Sequence, residues 1–293
     1  ELYASNLPLL RQVKAEQVQR YIDLLKVTPF PRFIAFLSVL CICDGVAIVD
    51  NQRKVVQLLV EENPEVLVHA KVIDSEKHGR DVQISRKNGS TFMLSTLTES
   101  EDTFMLIDTQ LMQPDQLRMA FYLRCLDLYS DVVAGRNRIG ADALIQKDEL
   151  GISYSSLVEM AAMRHIPTRV RKRAVQLIMQ LYVDREPQEP IAIINRVRIW
   201  SPAKPVKAPP VRTMINPYVN FPDRAPTPGF PELKTFILDF MGTQSTHSEE
   251  TTQVFRLSQS ILRLCSLMMS FGLYHIRKEG QPALEIQPDF GAI

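Results

Sequence analysis

Residues 36–52, FLSVLCICDGVAIVDNQ, contain an apolar helical run, a break and the approach to a second helix. Cys41 falls in register with the apolar residues of the preceding helical turns, so the run predicts a helix with one buried face. Asp44 and Gly45 follow, and such a pair favours a chain reversal. We expect the next helix to be RKVVQLLVEE, residues 53–62. The stretch therefore predicts two packed helices joined by a tight turn.

Cys41 and Cys43 lie one residue apart in this stretch, which raises the question of a metal or redox site. A structural metal site needs two further ligands, but the chain has no Cys-x-x-Cys pair and its histidines occur singly. Free cysteine is among the residue types most often buried, so we predict packing cysteines. The chain's cysteines are scattered, as is typical of a reducing cytosolic setting: Cys41, Cys43, Cys125 and Cys265.

Amphipathic helices account for most of the chain before residue 200. Two segments, 15–25 and 170–183, place apolar residues three or four positions apart, which predicts one buried face in each. Those positions are Val18, Tyr21, Ile22 and Leu25 in the first segment, and Val170, Ala174, Leu177, Ile178 and Leu181 in the second. A long helix is expected to start at Pro114 and Asp115 and to end at Gly135. Helices of this length with short connectors favour a bundle or stacked helical pairs.

A β-hairpin interrupts the helical pattern at about residues 80–96. Asn88 and Gly89 form the dipeptide that best tolerates the positive φ angles of a type I′ turn, and strand-forming residues flank them. An isolated hairpin is marginal in water, so we expect it to contact the helices.

The sequence divides into three parts by composition. Residues 1–200 are predicted to form one helical solenoid, and the proline-dense stretch 201–229 is predicted to be an extended linker. Residues 230–293 are expected to supply terminal helices that pack on the same solenoid. The chain begins without a methionine, and we expect it to be a segment of a longer protein.

Charge and motif content argue against several classes of function. The formal net charge is +1, which gives no electrostatic reason to expect binding to nucleic acid or to a lipid surface. The longest apolar stretch, residues 261–276, contains Arg263 and is too short to span a bilayer. No phosphate-binding glycine motif and no candidate catalytic triad is visible, so we predict that the chain is not an enzyme.

A basic segment, RHIPTRVRKR at residues 164–173, has two interpretations. Paired arginines can bind phosphate or an acidic partner domain. The favoured alternative is a solvated helix surface, because its polar residues lie away from the apolar face. Those residues are Arg169, Lys172, Arg173 and Gln176.

Several stretches, taken in order along the chain, resemble the inositol trisphosphate receptor family. They are PRF (31–33), LSVLC (37–41), LCICDGVAIVDNQ (40–52), LDLYSDVVAGRNRIG (126–140), VDREPQE (183–189), RVRIW (196–200) and SFGLYHI (270–276). The third also resembles ryanodine receptors, and the fourth precedes a homology region that both channels share. The sequence departs from the receptors at the hairpin and in the proline-rich linker, which indicates a divergent homologue.

The resemblance implies an all-α, armadillo/HEAT-like helical solenoid with one small β-hairpin insertion. This would be the second armadillo-like cytosolic domain of a calcium-release channel, carrying part of the shared homology region. It implies a coupling role that transmits movement of the ligand core toward the pore, with no ligand contacts or catalysis here. The alternative is a generic armadillo-type protein-interaction adaptor.

The expected partners are neighbouring domains and adjacent subunits of a tetramer on the cytosolic face of the endoplasmic reticulum, with no nucleic acid and no membrane insertion. Asp131 stands where those receptors usually have arginine. The resemblance also implies a calcium ion at a domain interface near Asp131. A solvated aspartate at a helix end is the simpler interpretation, and no other cofactor is expected.

Overall fold

The computed structural model describes residues 6–86, 91–97, 114–185, 230–244 and 252–270, and these form a mostly helical fold with a small antiparallel sheet. The helices of the first part are α1 (Leu7–Arg11), α2 (Ala15–Val27), α3 (Pro31–Cys41) and α4 (Val49–Val55). The later helices are α5 (Pro114–Val132), α6 (Arg138–Ile145), α7 (Tyr154–Ala162), α8 (Thr168–Ile178), α9 (Pro231–Gln244) and α10 (Thr252–Ser270). No helix in these ranges is long and apolar enough to cross a membrane.

Helices α2, α3 and α4 pack on one another, and α3 also lies along α5. The predicted apolar face of α2 is confirmed, because Val18, Ile22 and Leu25 have no exposed surface. The fourth residue of that face, Tyr21, is half-buried and stacks on Phe36 with ring centroids 3.9 Å apart. The N-terminal helices thus meet through a continuous apolar core with an aromatic contact at its edge.

The predicted reversal after α3 is confirmed. Asp44 and Gly45 have φ angles of 48° and 79°, so both residues adopt the left-handed conformation of a type I′ turn. The turn connects two short strands, β1 (Ile42–Cys43) and β2 (Val46–Ala47). The predicted start of the next helix at residue 53 is wrong, because α4 begins at Val49 and continues as a π-helical turn, Val56–Glu61. Tertiary contacts of the first turn of α4, made by Asn51 and Gln52, explain the difference.

The sheet is larger than the single hairpin that the sequence predicts. Strands β3 (His69–Ser75) and β4 (Gly79–Ser85) form a hairpin, and β4 also pairs with β5 (Phe92–Met93). The β4–β5 pair is the predicted hairpin, whereas its Asn88–Gly89 turn lies outside the described residues. Strand β3 was missed because its turn to β4 lacks a strong hairpin dipeptide. The fold is therefore not strictly all-α.

Helix α8 is central to the second half, where it packs on α5, α7 and α10. The predicted apolar face of α8 and of the π-helical turn that follows it, Met179–Val183, is confirmed. All its members have at most 1% exposure: Val170, Ala174, Leu177, Ile178 and Leu181. The long helix α5 ends at Val132, and Gly135, with a φ of 70°, lies in the turn that follows.

A 3₁₀ turn, Asp148–Leu150, links the sheet to this half of the molecule. It ends at Gly151, where an added Cβ would lie 2.3 Å from the carbonyl oxygen of Ala70 in β3. Only glycine permits this close approach, and its φ of 66° also favours glycine.

Helix α9 packs on α7, and α10 packs on α8. The proposed linker 201–229 and the stretches 186–200 and 271–293 lie outside the described residues. The extended course of the linker and the division at residues 200 and 230 therefore stay predictions.

Candidate functional site at the α3–α5–α8 pocket

Asn51 in the first turn of α4 is 1% exposed and joins two helices. Its Nδ2 donates to the carbonyl oxygen of Leu10 in α1 at 2.8 Å and to that of Leu40 in α3 at 3.0 Å. The Nζ of Lys54, one turn later, donates to the carbonyl oxygen of Val13 at 2.7 Å. Helix α4 is thereby held against the carbonyl ends of α1 and α3.

Gln52 is fully buried and connects α4 to α5. Its Nε2 donates to the carbonyl oxygen of Asp131 at 2.7 Å and to that of Ala134 at 3.0 Å. We call Asn51 and Gln52 the amide clamp. These two side chains satisfy four backbone carbonyls from three parts of the fold, in a buried setting where an unmade hydrogen bond is costly. They also explain why α4 begins before the predicted residue 53.

An open pocket of about 430 Å³ lies between α3, α5 and α8, beside the amide clamp. One wall comes from α3 and the residue after it and is mostly apolar, with Ala35, Val39 and Ile42 beside the Ser38 hydroxyl. The opposite wall comes from α5 and α8 and is polar and charged, with Arg124, Asp127, Ser130, Asp131, Arg173 and Gln176. The pocket thus places an apolar surface opposite two carboxylates and two guanidinium groups.

Asp127 is the carboxylate of the pocket whose charge is neutralised by arginine side chains. The side chain of Arg173 forms an ion pair with it, and Arg124 Nη1 lies 3.5 Å from its Oδ2. Burial raises the pKa of Asp127, while the two arginines act in the opposite direction. The predicted solvated surface of the basic segment is therefore wrong at Arg173, which is half-buried because it neutralises Asp127.

Arg171 is a second basic residue that the sequence pattern did not distinguish. It is 8% exposed and its Nε donates to the carbonyl oxygen of Ala161 at 2.9 Å. The pKa of Lys172 is lowered by burial, with Arg173 and Arg256 adding to that effect. The basic segment is thus partly structural, since it joins α8 to α5 and α7.

Asp131 lies one helical turn after Asp127 and has a different environment. Its Oδ2 accepts a hydrogen bond from the hydroxyl of Ser38. The pKa of Asp131 is raised to about 6, mainly by burial. The Ser38 hydrogen bond and the charges of Arg173 and Arg124 lower it, while the charge of Asp127 raises it. Asp131 is half-buried and therefore not the freely solvated aspartate of the simpler interpretation.

A calcium ion at Asp131 stays a prediction. Calcium takes six to eight oxygen ligands, and the described residues contain no group of three or more side chains suited to hold a metal ion. Asp131 would supply one or two oxygens, and the remaining ligands would have to come from another surface.

The two cysteines of the opening stretch lie behind this pocket. Cys41 is fully buried and its Sγ donates to the carbonyl oxygen of Leu37 at 3.4 Å. Burial raises the pKa of the Cys41 thiol well above its usual value, and the charge of Asp131 acts in the same direction. Burial also raises the pKa of Cys43, whose side chain is 5% exposed. The prediction of packing cysteines is confirmed.

Asp81 in β4 forms a second buried polar site. It is 1% exposed and accepts hydrogen bonds from the backbone of Val82 at 2.7 Å, the backbone of Ser95 at 3.3 Å and the Ser95 hydroxyl. His165 Nε2 lies 4.0 Å from Asp81 Oδ1, and its ring stacks on His78 with centroids 4.4 Å apart. Sequence reasoning missed both this site and the amide clamp, because their partners are distant in sequence.

Comparison with known proteins gives two matches. A family model described as the RIH domain (RYDR_ITPR) matches residues 1–72, which include α3 and the amide clamp. The inositol 1,4,5-trisphosphate receptor-like protein A of Dictyostelium discoideum is 27% identical over 203 residues. The match covers 69% of this chain, and the chain spans 6% of the length of that relative.

Proposed function

The chain is a homologue of the inositol trisphosphate receptor family, and we propose that it is a cytosolic regulatory domain of an inositol trisphosphate-gated calcium-release channel. In this proposal the domain transmits movement of the ligand core toward the pore. The ligand contacts lie elsewhere in the parent protein, and no catalysis takes place in this segment. Support comes from the two matches and from the structure of the amide clamp.

The amide clamp is the observation that carries the coupling role. A domain transmits displacement only if its helices move together, because a loosely joined stack would absorb the movement locally. Asn51 and Gln52 join α1, α3, α4 and α5 through buried hydrogen bonds, which resist sliding of these helices. Coupling then requires that this rigid unit make different contacts in the closed and open states.

An armadillo/HEAT-like solenoid is the proposed architecture. The packing of α2 on α3, α7 on α8 and α8 on α10 supports a stack in which neighbouring helices supply the core. Contacts of α9 with α7 support the assignment of the terminal helices to the same unit. The proposed partners are neighbouring domains and adjacent subunits of a tetramer, on the cytosolic face of the endoplasmic reticulum.

The test is to replace Gln52 by leucine in the parent channel. Gln52→Leu leaves the carbonyls of Asp131 and Ala134 without their donor and loosens α4 from α5. We expect ligand-evoked calcium release to fall several-fold while ligand binding is unchanged. Gln19→Leu is the matched control, because Gln19 is only partly buried and its side chain bonds, among the described residues, only Asp23 of the same helix. Normal release by Gln52→Leu channels, with the protein folded, would contradict the proposal.

An adaptor without a channel is the second candidate, since a helical stack also suits peptide or protein binding. The parent chain separates the two candidates. Paired membrane-spanning helices and a selectivity filter near its C-terminus are required for the channel, and a parent chain without them would contradict the channel proposal.

A calcium ion at Asp131 is the last element of the proposal. It requires additional oxygen ligands from a facing domain. In a protein that includes that domain, calcium should raise the melting temperature, and Asp131→Ala should abolish the increase. A melting temperature that calcium leaves unchanged would contradict the calcium site.

A further inference from the structure

The α3–α5–α8 pocket has one carboxylate that makes no direct ion pair within the part of the chain that the structure describes. Asp127 is paired with Arg173 and Arg124. Asp131 accepts a hydrogen bond from the neutral Ser38 hydroxyl, and the charges of the two arginines lower its pKa without an ion-pair contact. Both carboxylates line an open pocket rather than a closed core. Among the described residues, none fills the space in front of Asp131, and the pocket is wide enough for a further side chain.

We propose that this pocket receives an arginine side chain from a folded domain outside this chain, with Asp131 as its counter-charge. The inference rests on the proposed coupling role and names the chemistry by which a neighbouring domain would engage this one; it is an alternative to the calcium ion at Asp131. It is argued from the geometry of the pocket and from the negative charge of Asp131.

The apolar wall distinguishes a basic side chain from a bare cation. Ala35, Val39 and Ile42 lie opposite the carboxylates, and Val39 is 37% exposed. The aliphatic stem of an arginine packs on such a surface while its guanidinium reaches the polar wall. A metal ion makes no favourable contact with apolar side chains, and it would need oxygen ligands that the described residues do not supply.

The polar wall also fits a planar guanidinium. Asp131 offers a carboxylate, and its neighbours Ser130 and Ser38 carry hydroxyl oxygens that accept further N–H groups. The volume of about 430 Å³ accommodates one long side chain. Because Arg124 and Arg173 are held at Asp127, the incoming guanidinium is directed to the Asp131 end of the pocket.

Burial accounts for the energetic benefit of such a contact. The carboxylate of Asp131 is half-buried and its pKa is raised to about 6 even with the charges of Arg173 and Arg124 nearby, so burial still penalises its charged form. A guanidinium in the pocket would lower that pKa. Asp127, Arg124, Arg173 and the Cys41 thiol are the other titratable groups around Asp131.

The experiment titrates the chain of residues 1–293 with N-acetyl-arginine amide at pH 7.5 and follows backbone amide shifts by NMR. We expect saturable shifts in residues 35–42 and 127–131. The citrulline analogue, which has the same shape without the charge, should bind at least about tenfold more weakly. Equal binding of the two probes, or no saturable shift with the arginine probe, would overturn the proposal.

Two further conditions make the result specific. Asp131→Asn, and separately the unchanged chain at pH 4.5, should each weaken binding of the arginine probe by about tenfold. Asp50→Asn removes a carboxylate that is 84% exposed on α4 and should leave the affinity unchanged. If calcium chloride shifts the same residues and the arginine probe does not, the pocket is a metal site and the proposal is wrong. Failure of this test leaves the role of the amide clamp intact, because the clamp is tested by calcium release.

Discussion

Asp81 and Asp131 are both carboxylates with reduced solvent exposure, but they differ in the number of their hydrogen-bond donors and in how far they are buried. Asp81 in the sheet accepts hydrogen bonds from two backbone N–H groups and the Ser95 hydroxyl. Asp131 in the pocket accepts one from the Ser38 hydroxyl, and a second carboxylate lies one helical turn away. Asp81 is enclosed, with 1% of its surface exposed, whereas Asp131 borders an open pocket.

The difference separates a structural carboxylate from one that is suited to binding. A buried anion with several donors stabilises the arrangement of the elements that supply them. A partly buried anion with one neutral hydrogen-bond donor destabilises the folded protein. Binding of a cation offsets that destabilisation. Three substitutions, in order of decreasing effect, test whether this distinction is correct.

Asp81→Leu should have the largest effect. The substitution keeps the approximate shape but leaves the donors from Val82 and Ser95 without an acceptor, in a buried site. We expect a loss of about 3 kcal/mol in the free energy of unfolding, measured by urea denaturation. Asp74→Leu, in the same sheet at a side chain that is 90% exposed, is the control and should change stability little. Equal losses of stability in the two variants would contradict a structural role for Asp81.

Asp131→Asn should stabilise the protein at neutral pH. The pKa of Asp131 is raised to about 6, so between pH 4 and 6 the folded chain binds more protons than the unfolded chain. Stability contributed by the neutral carboxyl is present below pH 4 and is lost as the pH rises through 6. We therefore expect the variant to be more stable by about 2 kcal/mol at pH 8, after allowance for partial solvent screening, and the difference to vanish near pH 4.

The measurement for Asp131→Asn is urea denaturation at pH 4 and pH 8, with Asp50→Asn as the control. Asp50 is 84% exposed, so its variant should show no such pH dependence. A variant that is less stable than the original chain at pH 8 would mean that Asp131 is already compensated.

Ser38→Ala should have the smallest effect on stability, a loss of about 1 kcal/mol at pH 8. The Ser38 hydrogen bond lowers the pKa of Asp131, so its removal should move that pKa above its present value of about 6. A carboxyl ¹³C titration by NMR measures this change. Ser130→Ala is the matched control, because Ser130 donates to Gln180 and not to Asp131. An unchanged Asp131 pKa in Ser38→Ala would show that another group fixes it.

Local patterns predicted much of the helical fold. The apolar faces of α2 and α8 follow from residues spaced three and four apart, because this spacing places them on one side of a helix. The reversal at Asp44 and Gly45 follows from backbone conformations that few residue pairs tolerate. The burial of Cys41 follows from its register with the apolar face of α3. Each of these features depends on neighbours in the sequence.

Distant contacts determined the rest. Asn51 is a weak helix former. It lies in α4 together with Gln52 because carbonyls of α1, of α3 and at the end of α5 accept hydrogen bonds from the two side chains. Arg173 has the pattern of a solvated residue and is half-buried because Asp127 on another helix neutralises it. The pocket exists only where α3, α5 and α8 meet. The sequence by itself therefore determined most of the helices and the family resemblance. Tertiary structure decided which polar groups are buried, paired or left available. The reason is that hydrogen bonds and ion pairs join residues without regard to their separation along the chain.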